Sequence, residues 1–300
     1  NYEVFDDSKD ALEYLKSQSF PIVVKADGLA LGKGVLICNN YEEAKEAVID
    51  IMENKKFGDA GNKVVIEEFL VGQEVSVLSF CDGDTIVPMV SAQDHKRALD
   101  NDQGLNTGGM GTFSPSRIYT QEIQNYCMEK IFKPTLEAMK KEGRPFTGIL
   151  FFGLMVTENG VKVLEYNARF GDPEAQVVLP RLKGDLLEIL EACVDKRLHE
   201  IKVEWEDNAA VCVVLASGGY PLSYDTGFPI FGLDNLHENN IIVFHAGTAK
   251  KDDQIVTNGG RVLGVTGIAK TLDEAIRTAY QGVEKIRFEN MHYRKDIGIK

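Results

Sequence analysis

The sequence predicts an α+β body followed by a smaller, β-rich C-terminal domain. Strand patterns alternate with amphipathic helix patterns up to about residue 199, and a polar, acidic stretch follows at 200–208. From Ala209 onward the pattern changes to short β-rich segments separated by glycine turns. With 300 residues, 44% of them hydrophobic, the chain can bury a substantial core. We expect three parts, at 1–72, 73–199 and 207–300.

The first part is predicted to alternate helix and strand. Ser8 is in a position to cap the first helix, and the strand that follows ends in Lys25. A glycine-rich turn separates it from the next strand. The expected elements are a helix through Ala11, Leu12 and Leu15, strands at 21–25 and up to Cys38, a helix through Ala44, Ala47, Val48 and Ile51, and a strand at 64–69.

The second part contains the longest irregular segment of the chain, at 91–117. A loop of this length in a compact domain is usually functional. The helix after it is expected to bend at Pro134, because proline removes a backbone donor. The expected elements are strands at 74–80, 86–90, 148–156 and 161–169, a helix at 120–142, and a helix capped by Asp185 with Leu186, Leu187, Leu190, Cys193 and Val194 on one side.

The third part is predicted to carry strands at 209–217, 241–246 and 261–268. A final helix opens with a capping box, in which Thr271 and Glu274 satisfy each other's backbone N–H groups.

Charge and cysteine content exclude several classes of protein. The net charge of −13 and the absence of a basic stripe argue against a nucleic-acid binder. No apolar run approaches the length of a membrane span. The 5 cysteines are scattered and form no C-x-x-C pair, as expected for core residues of a reduced, cytoplasmic protein. We expect a monomer. Because the chain begins with Asn1, we also expect it to be the C-terminal part of a longer protein.

The segment Leu164–Gln176, LEYNARFGDPEAQ, indicates a metal and phosphate site. In a strand with period two, Glu165, Asn167 and Arg169 face the same way. Carboxylate and amide oxygens suit Mg²⁺, and an arginine suits the phosphate oxygens that the metal would bridge. The strand breaks at Gly-Asp-Pro-Glu (171–174), which presents two more carboxylates. A solvent-exposed, salt-bridged strand face is the alternative.

A second candidate site is the glycine-rich turn 28–34, GLALGKG. Its spacing is one residue short of a Walker P-loop, and Gly34 stands where a metal-binding Ser or Thr should be. It also lacks a dinucleotide fingerprint. Flexible backbone N–H groups and Lys33 could still close over phosphates, with Lys25 on the strand below. A simple hairpin turn remains the alternative.

Two further segments could bind a substrate. Backbone at the end of the strand 65–70 could hydrogen-bond a purine edge, and Glu74 could hold a ribose diol. The long loop places His95, Lys96 and Arg97 before the glycine-rich stretch 104–111, which could cradle an anion. His95 by itself is more often structural. No Ser-His-Asp set or zinc-like cluster stands out, so the polar groups favour phosphoryl transfer.

Taken in order, VVKADGLALGKGV, VIEEFLVGQE, SAQDHKR, LNTGGMG and LEYNARFGDPEAQ resemble an ATP-grasp enzyme. Within that superfamily the chain resembles the phosphoribosylamine:glycine ligases, because QDHKR, NTGGMG and RFGDPE are specific to them. The later segments FHAGT, TNGGRVL and RKDIG resemble their C-terminal domain. The family normally carries an N-terminal Rossmann-like domain, with one ATP-contacting lysine, ahead of the region that this chain covers.

The resemblance implies an ATP-grasp fold, in which two α+β subdomains (1–72 as lid, 73–199 as core) clamp ATP. It also implies the reaction: glycine's carboxylate attacks the γ-phosphate of ATP, and 5-phosphoribosylamine then displaces phosphate. ATP and Mg²⁺ or Mn²⁺ are the implied cofactors, and glycine and 5-phosphoribosylamine the implied substrates. The implied residues are Arg169, Lys25 and Asp172 for catalysis; Lys25, Gly32, Lys33, Gly34, Glu67, Glu68, Phe69, Leu70 and Glu74 for ATP; Glu165 and Asn167 for the metal; and Asp94, Lys96, Arg97, Asn106, Thr107, Gly108, Gly109, Asp172, Pro173 and Glu174 for the acceptor side.

Other functions remain open at the level of sequence. Another ATP-grasp carboxylate–amine ligase or a carboxylase would share the ATP site and differ in the QDHKR and GDPE loops. A fragment that binds nucleotide without turnover is a different class, and a Mg²⁺-dependent phosphohydrolase would hydrolyse ATP without glycine.

Overall fold

A computed structural model describes residues 1–28, 30, 34–236 and 240–299. The chain divides into two compact units, 1–71 and 72–300. The boundary predicted at the acidic stretch 200–208 lies inside the second unit. No helix in the described ranges is long and apolar enough to cross a membrane.

In unit 1 the described residues form a four-stranded antiparallel sheet with two helices on one face. The strand order is β1-β4-β2-β3. The core is made by residues such as Leu15, Val24, Ile51 and Ile66, which are at most 1% exposed. The elements are β1 (Tyr2–Phe5), α1 (Ser8–Leu15), β2 (Ile22–Ala26), β3 (Val35–Cys38), α2 (Tyr41–Val48), which continues as a π-helical turn (Ile49–Glu53), and β4 (Val64–Glu68).

The predicted cap of the first helix was wrong by one residue. Asp7 is the N-cap, and its Oδ1 accepts a hydrogen bond from the Lys9 backbone N–H at 2.7 Å. Ser8 is the first helical residue, and its hydroxyl donates to Glu53 instead. Serine and aspartate are both favourable caps, so sequence alone does not separate adjacent candidates.

The strands of unit 2 form two larger sheets and three short two-stranded pairs among the described residues. One sheet has the order β12-β11-β5-β6, and the other β16-β19-β15-β10-β7 with β20 beside β15. The strands are β5 (Gln73–Asp82), β6 (Ile86–Pro88), β7 (Gln93–Asp94), β8 (Arg97–Leu99), β9 (Gln103–Asn106), β10 (Gly111–Ser114), β11 (Thr147–Thr157), β12 (Gly160–Asn167), β13 (Leu182–Lys183), β14 (Glu204–Trp205), β15 (Ala209–Ser217), β16 (Ile241–His245), β17 (Thr248–Lys251), β18 (Gln254–Thr257), β19 (Arg261–Ala269) and β20 (Met291–His292).

The second of these sheets contains strands from both sides of the boundary predicted at 200–208. Strand β10 pairs antiparallel with β15, placing Phe113 opposite Val211. The segment 93–114 is therefore held by the C-terminal strands, although it belongs in sequence to the preceding part. Short strands and close turns replace the uninterrupted loop expected at 91–117.

The helices of unit 2 cover the faces of these sheets. The helix predicted at 120–142 changes type next to Pro134: a π-helical turn, Met128–Phe132, joins α3 to α4, and proline stands in the first turn of α4. A proline there leaves the carbonyl four residues earlier without its usual donor. The helices are α3 (Gln121–Cys127), α4 (Lys133–Lys141), α5 (Ala175–Val178), α6 (Leu186–Val194) and α7 (Leu272–Lys285).

Both predicted caps in unit 2 are confirmed. Asp185 accepts a hydrogen bond from the Leu187 N–H at 2.8 Å, and Thr271 and Glu274 form the capping box of α7. The predicted apolar face of α6 was partly wrong, because the Leu187 and Val194 side chains are 62% and 73% exposed. The buried side of α6 is formed by Ile189, Ala192 and Cys193.

All five cysteines are buried free thiols, as predicted. Burial raises the pKa of the Cys212 thiol to about 12, so it stays protonated at neutral pH.

Candidate active site

One face of the unit 1 sheet carries apolar side chains together with the ion pair of Lys25 and Glu67. The helices cover the opposite face, so Val4, Val35 and Ile37 remain 47–49% exposed. Lys25 lies among them, opposite Val65 on the next strand, and its Nζ is 2.5 Å from Glu67 Oε2. An apolar platform that carries a lysine can hold the flat face of a base and a phosphate oxygen.

Gly28, the first residue of the glycine-rich turn, contacts the rest of unit 1 through its backbone. The Gly28 N–H donates to the Ala60 carbonyl at 3.1 Å, and a Cβ at Gly28 would lie 2.6 Å from Ala60 Cα. A Cβ at Gly34 would lie 2.7 Å from Ala30 Cβ. Both positions therefore require glycine. Gly32 and Lys33, predicted to bind phosphate, lie outside the described residues.

The predicted adenine-binding segment lies at the end of β4. Glu68 is the last residue of the strand, and Phe69 and Leu70 continue beyond it without regular structure. The Phe69 side chain is 37% exposed. Backbone that leaves a sheet in this way has N–H and C=O groups outside the ladder, which is what recognition of a purine edge requires.

The predicted metal ligands lie side by side at the end of β12. The Asn167 amide donates to Glu165 Oε1 at 3.4 Å, and Glu165 is exposed. Gly153 on β11 faces Glu165, and a Cβ there would lie 3.0 Å from Glu165 Cγ. The register of β11 against β12 shifts between Gly153 and Leu154, so a bulge falls at Leu164, just before the pair.

The other face of this strand is apolar. Val163, Tyr166 and Ala168 line a cavity of about 640 Å³ against the α3–α4 segment. In a regular strand, side chains on one face are two residues apart, as Tyr166 and Ala168 are. Val163 and Tyr166 are three residues apart because the bulge at Leu164 adds one residue between them. Polar and apolar side chains are thus separated across β12, as the sequence indicated.

Lys96 links the predicted nucleotide and acceptor residues within unit 2. Its Nζ is 2.5 Å from Glu74 Oε2. Burial alone would lower the pKa of Lys96, but Glu74, with Glu165 and Asp94, raises it above its usual value. Lys96 therefore remains a cation among these carboxylates.

The carboxyl groups of Asp94 and Glu174 interact: Asp94 is half-buried with its Oδ1 buried, and Glu174 is buried. Burial raises the pKa of Asp94 well above its usual range, and the charge of Glu174 adds to that effect. Burial also raises the pKa of Glu174, although Ser76 Oγ donates to its Oε1 at 3.1 Å. Among the described residues, Asp94 Oδ1 is buried without a hydrogen-bond partner. A pair of this kind can accept a cation or a donor group from a ligand.

The glycine-rich segment 104–109 folds back onto the basic segment before it. The backbone N–H and the hydroxyl of Thr107 both donate to the Lys96 carbonyl at 2.8 Å. The Arg97 guanidinium donates to the Gly104 carbonyl at 2.9 Å, and Asn106 is the strand partner of Arg97. A Cβ at Gly109 would lie 2.5 Å from Pro173 Cδ and 2.7 Å from Asp94 Oδ1. The predicted acceptor residues therefore lie together.

Arg169 and Asp172 lie beyond the end of β12. The predicted strand extended to residue 169, whereas β12 ends at Asn167. The Arg169 guanidinium donates to the Phe170 carbonyl at 2.8 Å and contributes positive charge next to Glu174. Asp172 Oδ1 accepts from the Gln176 amide at 3.1 Å.

Arg261 is a site residue that sequence reasoning missed. Its Nη1 donates to the Gly108 carbonyl at 2.7 Å and to the Asp172 carbonyl at 2.8 Å, and it lies 3.3 Å from Asp172 Oδ1. One guanidinium thus ties the glycine-rich segment to the Gly-Asp-Pro-Glu turn. In the sequence, Arg261 stands out only because it belongs to the GGRVL motif. That motif is far along the chain from both the glycine-rich segment and the Gly-Asp-Pro-Glu turn.

His95 is not part of the expected cluster of positive charges. Burial, with the positive charge of Arg294, lowers the pKa of His95 to about 4, so the imidazole is neutral at physiological pH. Its ring packs 5.8 Å from that of Phe113. The structural interpretation of this histidine fits these contacts.

Glu165 and Asn167 fit a Mg²⁺ ion that also binds phosphates. The described residues contain no group of three or more His, Cys, Asp or Glu side chains arranged for a metal ion. A protein that supplies one or two oxygen ligands leaves the remaining positions to phosphate oxygens and water, which is how Mg²⁺ binds nucleotides. The two adjacent oxygen-bearing side chains match that pattern.

These features define the class of the protein. A lysine-bearing sheet and a strand with the Glu-x-Asn pair are what the resemblance to ATP-grasp enzymes implies, and residues 1–175 match a family model of an ATP-grasp domain. Solved structures agree on the fold. The chain aligns with a Campylobacter jejuni biotin carboxylase at a TM-score of 0.73 over 95% of its length, with 12% identity. At that identity the likeness concerns the fold alone.

The particular family follows from closer matches. Residues 1–175 match the phosphoribosylglycinamide synthetase ATP-grasp (A) domain, and residues 210–300 match the C domain of the same synthetase. The chain belongs to the phosphoribosylglycinamide synthetase family.

Individual relatives support this assignment. The chain is 50% identical over its full length to a phosphoribosylamine--glycine ligase of Halalkalibacterium halodurans and spans 69% of it. It is 52% identical to a trifunctional purine biosynthetic protein of Gallus gallus and spans 30% of that protein. A crystal structure of the Thermotoga maritima phosphoribosylamine--glycine ligase aligns at a TM-score of 0.86 with 38% identity, covering 99% of this chain and 73% of that one.

Proposed function

We propose that this chain catalyses the ATP-dependent joining of glycine to 5-phosphoribosylamine, giving glycinamide ribonucleotide, ADP and phosphate. In the first step a glycine carboxylate oxygen attacks the γ-phosphorus of ATP and the bond to the β-phosphate oxygen breaks, which releases ADP. In the second step the amine nitrogen of phosphoribosylamine attacks the glycyl carbonyl carbon, the bond to the phosphate oxygen breaks, and the nitrogen loses a proton.

The charge arrangement around Lys96 is the observation that carries this proposal. Four carboxylates, Glu74, Asp94, Glu165 and Glu174, interact with Lys96 or with one another, and Arg169 adds a second cation. The excess of negative charge favours a divalent cation and a protonated amine at this end of unit 2. The reaction uses both, because ATP is bound with Mg²⁺ and glycine carries an ammonium group that takes no part in the bond changes.

We assign nucleotide-binding residues in each unit by itself: the exposed sheet face in unit 1, and Glu74 with the end of β12 in unit 2. Lys25 and the 28–34 turn would hold phosphates, the backbone at 68–70 would meet adenine, and Glu74 would hold the ribose. Glu165 and Asn167 would hold Mg²⁺ or Mn²⁺, which when bound neutralises charge between the β- and γ-phosphates. Arg169 would stabilise charge on the transferring phosphoryl group.

The acceptor side is assigned to the 94–109 segment and the Gly-Asp-Pro-Glu turn. Asp94 and Glu174 would accept hydrogen bonds from an amine, because Glu174 and Asp94 Oδ1 are buried and Asp94 Oδ1 has no partner in the described residues. Lys96 and Arg97 supply positive charge for a carboxylate or a phosphate. Asp172 is held by Arg261, so its carboxylate has a fixed position beside them.

Release of ADP under different acceptors tests this function against its rivals. We expect ADP only when glycine is present, and faster release when phosphoribosylamine is added. ADP release without glycine would favour a phosphohydrolase, and release with another carboxylate in preference to glycine would favour a different ligase. Binding of MgATP without release under any acceptor would contradict a ligase activity of this chain.

Lys25→Met is expected to weaken ATP binding by about 10- to 100-fold, because a charge-assisted hydrogen bond contributes roughly 1.5–3 kcal/mol. Titration calorimetry of this chain with MgATP measures the effect. Lys45→Met is the matched control, since Lys45 lies on α2, which packs against the other face of the sheet. Equal affinities for Lys25→Met and the wild type would contradict the phosphate assignment.

A further inference from the structure

We propose that the C-terminal segment 292–298 positions the 94–106 loop, and that Arg294 is the positioning residue. The role of the loop in binding the acceptor rests on the proposed function, whereas the contacts that hold it are independent of that function. Both segments belong to unit 2, separated by almost 200 residues of sequence.

Arg294 is a completely buried arginine whose donors are nearly all used. Its Nε and Nη2 donate to the two carboxylate oxygens of Asp296, each at 2.8 Å. Nη2 also lies 2.9 Å from Asp102 Oδ1, and Nη1 donates to the Arg97 carbonyl at 3.1 Å. Two of these contacts reach the 94–106 loop, and only a planar guanidinium can make all of them at once.

The loop has an unusual backbone where these contacts are made. Asn101 and Asp102 are consecutive non-glycine residues with φ of 58° and 56°. Left-handed backbone at such residues persists where surrounding contacts impose it. The Asn101 N–H donates to Asp296 Oδ2 at 2.8 Å, and the Asp102 side chain pairs with Arg294. The C-terminal segment therefore supplies the contacts that hold this conformation.

Further hydrogen bonds fasten the two segments together. The Lys295 N–H donates to Asp100 Oδ1 at 2.7 Å, and His292 Nε2 lies 2.7 Å from the Ala98 carbonyl. Tyr280 on α7 donates to the Arg294 carbonyl at 2.8 Å and accepts from the Ile297 N–H at 3.1 Å. A long helix thus serves as a rigid support for the C-terminal segment.

The site residues depend on this support through the backbone. The carbonyl that Arg294 holds belongs to Arg97, which directly follows Lys96. The carbonyl of Lys96 in turn receives both Thr107 hydrogen bonds. A shift of the Arg97 carbonyl would therefore move the Lys96 ammonium relative to Glu74 and Asp94. Misplacement of about 1 Å in a binding group can cost ~100-fold in rate.

Arg294→Lys tests the inference, because lysine keeps the charge and loses the planar fork. We expect amide hydrogen exchange at Asn101 and Lys295 to become at least about 10-fold faster, since their acceptors lose their fixed positions. In the ligase assay we expect kcat/KM for phosphoribosylamine to fall about 10- to 100-fold while the KM for ATP stays within about 2-fold of wild type. Arg287→Lys is the matched control, because Arg287 stacks over Phe231 instead.

Asp102→Asn provides a second variant should Arg294→Lys fail to fold. It removes the negative charge of the half-exposed Asp102, which is one of the partners of Arg294. We therefore expect the same changes in hydrogen exchange and in kcat/KM, but smaller ones. Unchanged exchange in the loop would overturn the inference whether or not wild-type protein forms product. Faster exchange with an unchanged kcat/KM for phosphoribosylamine would also overturn it. A wild-type protein that forms no product contradicts the proposed function, and the exchange measurement then still tests the positioning.

Discussion

Glu165→Gln is expected to reduce ATP-dependent turnover by at least about 100-fold while leaving the fold intact. Loss of a residue that only supports a metal ligand typically costs ~10- to 100-fold, so loss of a charged ligand should cost at least as much. The side chain is exposed and its amide partner Asn167 is a neutral donor, so the substitution removes no core volume. Steady-state kinetics with saturating MgATP, together with a thermal melt, measure both parts of this prediction.

Two comparisons make this result specific. Glu158→Gln removes an exposed carboxylate from the turn of the same hairpin, at the other end of β12, and should change neither turnover nor Tm. Titration with Mn²⁺ in the presence of ADP should show weaker metal binding for Glu165→Gln only. Turnover close to wild type in Glu165→Gln would rule out the metal assignment.

Asp94→Asn is expected to lower activity and raise stability at the same time. We expect loss of a carboxylate that faces a substrate amine to lower kcat/KM at least about 10-fold. Removing one partner of a buried charge pair typically has an effect of at least this size. In the free protein, however, burial and the charge of Glu174 raise the pKa of Asp94. An ionised Asp94 is thus unfavourable in the folded state, and the neutral amide relieves that cost.

The pH dependence gives this prediction a definite sign. An unfolded aspartate has a pKa of about 3.9, and the folded value lies above it, so the folded state binds more protons in between. Stability contributed by Asp94 is therefore greatest below about pH 4 and falls as the pH rises through the folded pKa. The gain in Tm from Asp94→Asn should be largest at neutral pH and disappear toward pH 4. Asp225→Asn, at an exposed position, should show no such gain. A lower Tm for Asp94→Asn at pH 7 would contradict the carboxyl pair.

Local patterns in the sequence predicted much of the fold. Two features depend only on residues that are close in sequence, so they can be predicted from the sequence alone. They are the capping box of Thr271 and Glu274 and the change of helix type at Pro134. The prediction that Glu165 and Asn167 lie on the same face was correct, because the bulge at Leu164 precedes both residues. Their spacing of two residues is therefore that of a regular strand. Membership of the ATP-grasp class followed from the motifs in order.

Long-range contacts could not be predicted in this way. Arg261 and Arg294 reach the 94–109 segment across more than 150 residues, and neither has a local pattern that marks its partner. The pairing of β10 with β15 likewise places strands from both sides of the acidic stretch in one sheet. The neutral state of His95 depends on burial and on Arg294, neither of which the segment QDHKR reveals.

The most direct test of the proposed function is a mass-spectrometric search for glycinamide ribonucleotide. This chain would be incubated with MgATP, glycine and freshly generated phosphoribosylamine, beside a fusion carrying at its N-terminus the residues of the Halalkalibacterium halodurans relative that precede the aligned region. We predict glycinamide ribonucleotide and ADP in equal amounts, with the product absent in Glu165→Gln. No product from either protein, while both bind MgATP, would contradict the ligase function.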